Sequence, residues 1–181
     1  MTTAGGEGLQ HTELATRNMW RDLVTSPTRP VLTLVVAYLL SITGSLLLAG
    51  LLRYVAPEAS PPDFGFFLGK GLITVVALAV VSPFVETLIL AGTTSLLLRW
   101  VERKFAVLLS SLGWALAHSY QAPIWGLVIW WPFIIFTTLY VVWKKRSLAW
   151  GIFMPFAAHF LQNLLTSIAI GFPNLLPIPV T

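Results

Sequence analysis

The sequence predicts an all-α protein, a polytopic membrane helix bundle with about five transmembrane helices and a short interfacial N-terminal helix. Three observations carry this. Hydrophobic residues make up 56% of the 181-residue chain and charged residues 10%, whereas soluble domains carry about a quarter charged. The apolar residues gather into five runs, most of them near the roughly twenty residues that a membrane helix requires. Lys and Arg sit in short clusters beside those runs, the pattern by which membrane proteins fix their orientation.

Residues 1–30 form a polar N-terminal segment with no compact apolar stretch ending in a small-residue cleavage site, so no removable signal peptide is expected. Within it Leu14, Trp20, Leu23 and Val24 interleave with Arg17 and Arg21, which suits a helix lying on an anionic leaflet. Residues 31–171 hold the bundle, with runs at Val31–Leu52, Phe66–Leu98, Phe105–Tyr120, Ile124–Trp143 and Leu148–Ile170. The second is too long for one straight crossing, so it is expected to tilt, to bend near Pro83 or to begin with an interfacial turn. Residues 172–181 are a short C-terminal tail. Neither an internal repeat nor a second domain is visible.

Arg17, Arg21 and Arg29 precede the first run, Arg99, Arg103 and Lys104 follow the second, and Lys144, Lys145 and Arg146 follow the fourth. Five alternating crossings put these clusters on one side and leave Arg53 and Lys70 opposite, which predicts a cytoplasmic N-terminus and an outward C-terminus. The expected location is a bacterial or archaeal plasma membrane. The net charge of +4 thus serves membrane lipids as partners and calls for no nucleic acid. With no cysteine in the chain, disulfides, thiolate metal sites and cysteine nucleophiles are excluded.

Glu86, His118 and His159 are the strongly titratable residues deep inside the predicted runs. An ionisable group at membrane depth is costly and normally faces the bundle interior for a functional reason. Glu86 lies thirteen residues from Arg99, His118 fourteen from Lys104 and His159 thirteen from Arg146. All three therefore sit roughly 20 Å along their helices from the same face. His159 and Asn163, spaced i, i+4, share a helix face. Gly113, Ala115 and Ala117 beside His118, and Ala157 and Ala158 beside His159, are small enough for close helix approach. Taken singly, each histidine reads as an interhelical hydrogen-bond partner and Asn163 as packing, but a mere packing network needs no carboxylate. Thr87, Thr93, Thr94, Ser95, Ser110 and Ser111 are expected to bond back to their own helices.

Three stretches carry a family resemblance: Ser82-Pro83-Phe84-Val85-Glu86-Thr87-Leu88-Ile89-Leu90-Ala91-Gly92, Trp114-Ala115-Leu116-Ala117-His118 and His159-Phe160-Leu161-Gln162-Asn163. In order and spacing they resemble the motifs E-E-x-x-x-R, F-x-x-x-H and H-x-x-x-N of the CPBP family, also called Abi, named for its CAAX-protease and bacteriocin-processing members. The chain departs from the pattern at Thr87, Ala91 and Trp114. The resemblance implies an intramembrane endopeptidase acting on a peptide or membrane-protein substrate. It implies that Glu86, helped by His118, activates a water while His159 and Asn163 steady the tetrahedral oxygen. Zinc held by Glu86, His118 and His159 is the alternative. The metal-free reading is preferred, because no H-E-x-x-H helix occurs and no second carboxylate stands nearby to orient a ligand. Other readings stay open: a proteolytically silent scaffold or immunity protein, a small proton-coupled transporter built on Glu86, and a haem protein with His118 and His159 as axial ligands.

Overall fold

A computed structural model describes residues 26–175 of the chain. The proposed interfacial helix and the last six residues lie outside the described residues. Five long helices follow one another, and no strand occurs among the described residues. They are α1 (Pro30–Val55), α2 (Leu72–Leu97), α3 (Arg103–Ser119), α4 (Trp125–Trp143) and α5 (Leu148–Gly171). All but α3 are long and apolar enough to cross a membrane. α3 has 17 residues, about 26 Å of helix. The chain is an integral membrane protein with an all-helical bundle fold.

Local signals explain where the helices begin. Pro30 stands in the first turn of α1, where a missing N–H is harmless. Ser147 caps α5, its Oγ accepting the Trp150 N–H at 3.2 Å. The second apolar run does not start as a helix at Phe66. A 3₁₀ turn at Gly65–Phe67 comes first, and Gly69 and Gly71 then take φ of 72° and 60°, a left-handed backbone that ends helical propagation and favours glycine. The Gly69 N–H donates to the Ile170 carbonyl and the Gly71 N–H to that of Gly171, at 2.9 and 2.8 Å. The start of α2 is thereby pinned to the end of α5.

The bend expected near Pro83 takes a specific form. Residues Val76–Val81 make a π-helical turn, and α-helix resumes at Ser82. The buried positions keep one face only because of that extra residue. Thr74 and Ala79 lie five apart, and Pro83, Thr87, Leu90, Ala91 and Thr94 follow at ordinary steps.

α4 is the hub, packing against α1, α3 and α5. Its Phe133, Phe136, Leu139, Tyr140, Val142 and Trp143 are buried, while Leu39, Leu46, Leu47 and Leu51 of α1 are exposed, as a lipid-facing surface requires. Trp131 donates to the Leu40 carbonyl at 2.8 Å and lies over Gly44, where any Cβ would collide with the indole. Gly113, by contrast, faces open space, and Ala117 is exposed, so close approach on α3 falls to Ala115. Thr93 and Ser111 bond back to their own helices as expected. Thr94 and Ser95 instead reach across, Thr94 to Ser110 on α3 at 2.9 Å and Ser95 to Tyr140 on α4. With a buried partner hydroxyl in range, an interhelical bond satisfies both groups at once.

Candidate active site

The ordinary helical turn after Ser82 sets Ser82 and Glu86 on one face, and the Ser82 hydroxyl donates to Glu86 Oε1 at 2.6 Å. The other carboxylate oxygen, Oε2, is buried and accepts no hydrogen bond. Both imidazoles converge on it. His118 Nε2 from α3 and His159 Nε2 from α5 each stand 3.9 Å from Glu86 Oε2. Three helices thus deliver one acid and two histidines to a single point. The distances exceed a direct hydrogen bond and match a gap that one bridging oxygen spans.

The two histidines are held differently. His118 Nδ1 donates to the Trp114 carbonyl one turn back at 2.9 Å. A carbonyl can only accept, so Nδ1 carries a proton, and Nε2 is the ring nitrogen turned toward Glu86. Trp114 in turn stacks on Phe133, centroids 4.9 Å apart. His159 is walled by aromatic rings, stacked on Phe136 at 4.7 Å and edge-on to Phe133 at 5.4 Å, and its buried Nδ1 has no hydrogen-bond partner.

Asn163 lies one turn beyond His159, and its amide bonds to the backbone of α2. Its Nδ2 donates to the Leu78 carbonyl of α2 at 3.1 Å. Sequence reasoning missed this bond and also missed Ser82, whose position four residues before Glu86 was the available signal. It missed Gln162 as well, which accepts from Ser41 at 2.8 Å and donates to Ser45 at 3.3 Å, joining α5 to α1.

The set does not fit zinc as it stands. Ligands bound tetrahedrally at 2.0–2.1 Å lie only about 3.4 Å apart, closer than the observed 3.9 Å. The His159 Nδ1 lacks the outer partner that orients a metal-bound imidazole, and no group of three His, Cys, Asp or Glu among the described residues has metal-holding geometry.

The helices around this point extend unequally beyond it. α3 stops at Ser119, immediately after His118, whereas α5 runs on from His159 to Gly171, about 18 Å at 1.5 Å per residue. After Ser119 the chain turns toward α4, and Tyr120 in that turn is 94% exposed. Glu86 and His118 keep 18% and 19% of their side-chain surface, and His159 keeps 6%.

Fold and site together define an apolar helix bundle of the membrane-spanning kind with a partly exposed acid–imidazole cluster inside it. Residues 68–165 match the family model described as type II CAAX prenyl endopeptidase Rce1-like. That stretch is more than half of the chain and contains Glu86, His118, His159 and Asn163, and the protein belongs to this family of membrane peptidases. Comparison with curated proteins and with solved structures gives no match.

Proposed function

We propose that the protein is an intramembrane endopeptidase of CAAX-protease type, hydrolysing a peptide bond of a membrane-anchored peptide or protein with a water activated by Glu86. The observation that carries this is the meeting of Glu86 Oε2 with the Nε2 atoms of His118 and His159 at equal distances of 3.9 Å. A water about 2.8 Å from the carboxylate oxygen also reaches both imidazoles. Glu86 removes its proton as the water oxygen adds to the scissile carbonyl carbon. The Nε2 lone pair of His118 accepts the second water hydrogen and orients the nucleophile. His159, in its Nε2–H form, donates to the oxygen of the tetrahedral intermediate. The proton held by Glu86 then passes to the amide nitrogen, and the carbon–nitrogen bond breaks.

Thr87 and Ala91 stand where the family pattern carries Glu and Arg. Both are buried, at 2% and 6% exposure. Two neutral residues replace two charges of opposite sign, so no unpaired ion is left in the core. The basic clusters support a cytoplasmic N-terminus, an outward C-terminus and a site that opens away from those clusters.

The test is a comparison of membrane fractions from cells carrying the native chain or Glu86→Gln, digested in ¹⁸O-labelled water while still in native membranes. Cleavage products that appear only with the native chain and carry one ¹⁸O in the new carboxylate are expected. Identical fragment sets from the two, at matched levels of folded protein, would refute the protease reading.

A further inference from the structure

The π-turn of α2 leaves one backbone acceptor without a helical donor. The Ser82 N–H donates five residues back, to the Ala77 carbonyl. In that register the Leu78 carbonyl should receive the N–H of residue 83, which is proline and has none. A bare carbonyl at membrane depth is strongly disfavoured. The Asn163 amide supplies the missing donor at 3.1 Å.

This bond sits at a decisive place. One residue is about 100° of helix rotation, so whether the turn before Ser82 is wound as π or as α decides which side chain of α2 faces the histidines. Glu86 lies eight residues beyond Leu78 on the same helix. On α5, Asn163 lies one turn from His159, whose Nε2 faces that carboxylate. A single residue of α5 thus holds both the depth and the rotation of the acid relative to an imidazole on its own helix. From this we infer that Asn163 is a positioning residue, which locks the Pro83 π-turn through the Leu78 carbonyl and so aims Glu86 at His118 and His159. The inference deepens the proposed function and rests on it for its effect on turnover, while the aim of Glu86 can be read without any turnover.

Proline is the reason an external donor is needed, so removing proline should remove the need. In Pro83→Ala the new N–H falls to the Leu78 carbonyl in the existing register. Asn163→Leu keeps the side-chain shape and deletes the donor. Cleavage is measured for the native chain, Asn163→Leu, Pro83→Ala and the double variant. In parallel, cysteines are introduced by Glu86→Cys and His118→Cys in each background and joined with a short bifunctional thiol reagent, a clean readout because the chain has no cysteine of its own.

Asn163→Leu is expected to lower kcat more than tenfold with KM within about threefold, and to lower the cross-linked fraction by at least half. Pro83→Ala alone should remain within about threefold of native, and the double variant should regain most of both signals. If Asn163→Leu does not fold, Asn163→Ala takes its place, and recovery of folded protein on adding Pro83→Ala supports the latch equally. Lost cleavage with unchanged cross-linking and no rescue by Pro83→Ala would overturn the inference and place Asn163 at the substrate. If the native chain cleaves nothing but cross-linking falls and recovers as described, the protease reading fails and the latch stands.

Discussion

The two walls of the site make opposite environments out of the same residue type. On the α3 wall, His118 has its Nδ1 proton fixed by the Trp114 carbonyl and stands where its helix ends, partly exposed. On the α5 wall, His159 is mid-helix, sealed by Phe133 and Phe136 and without a partner on Nδ1. An imidazole in contact with solvent can exchange protons with it, whereas one in a dry aromatic box presents a fixed dipole in a medium that strengthens it. On the proposed reading, the difference suits the first to proton handling and the second to stabilisation of developing charge.

The largest expected effect concerns the acid that both walls share. Glu86→Gln keeps the shape and removes the base, and should lower turnover about a thousandfold or more, read as initial cleavage rate in liposomes. His159→Ala removes a preorganised donor from a dry site and should reduce kcat by a few hundredfold. His118→Ala should lose about a hundredfold. The two walls are told apart by adding imidazole to the medium, which should restore part of the His118→Ala rate and none of the His159→Ala rate. Equal rescue of both, or of neither, would break the distinction between wet and dry walls. Phe136→Ala opens the sealed wall and should destabilise the protein by about 3 kcal/mol, measured as denaturant unfolding in micelles. The smallest effect is expected for Ser82→Ala, which removes one hydrogen bond to the carboxylate and should slow turnover about tenfold, with KM unchanged.

Much of this was legible in the residues. The five apolar runs coincide with the five helices to within a few residues at most ends, because length and composition alone decide what can cross a bilayer. Counting from the basic clusters also brought Glu86, His118 and His159 to one level, since helical rise is uniform enough for such arithmetic. What escaped was rotation. A run of apolar residues around the whole helix gives no phase, so nothing in Leu72–Val81 announced an extra residue before Ser82, and Pro83 marked a bend without telling its kind. The π-turn in turn explains why Asn163, on the predicted face, bonds to a backbone carbonyl of α2. Thr94 and Ser95 were misassigned for a related reason, since whether a hydroxyl bonds backward or across depends on what the neighbouring helix offers. The excess residues of the second run, Phe66 to Gly71, belong to a turn bonded to α5 because two glycines take a left-handed backbone there.

The early end of α3 has a consequence for what could be cut. On the proposed reading, the scissile bond must arrive at a point set back by a fixed length from the lipid–water boundary, on the side where α2 and α5 stand tall and their neighbour does not. A chain still wound as a helix keeps its carbonyls engaged and cannot offer one, so a frayed end or an extended tether is what fits. Such a site acts as a ruler: it selects by reach from an anchor in the bilayer, and unrelated sequences of equal tether length are then equivalent substrates.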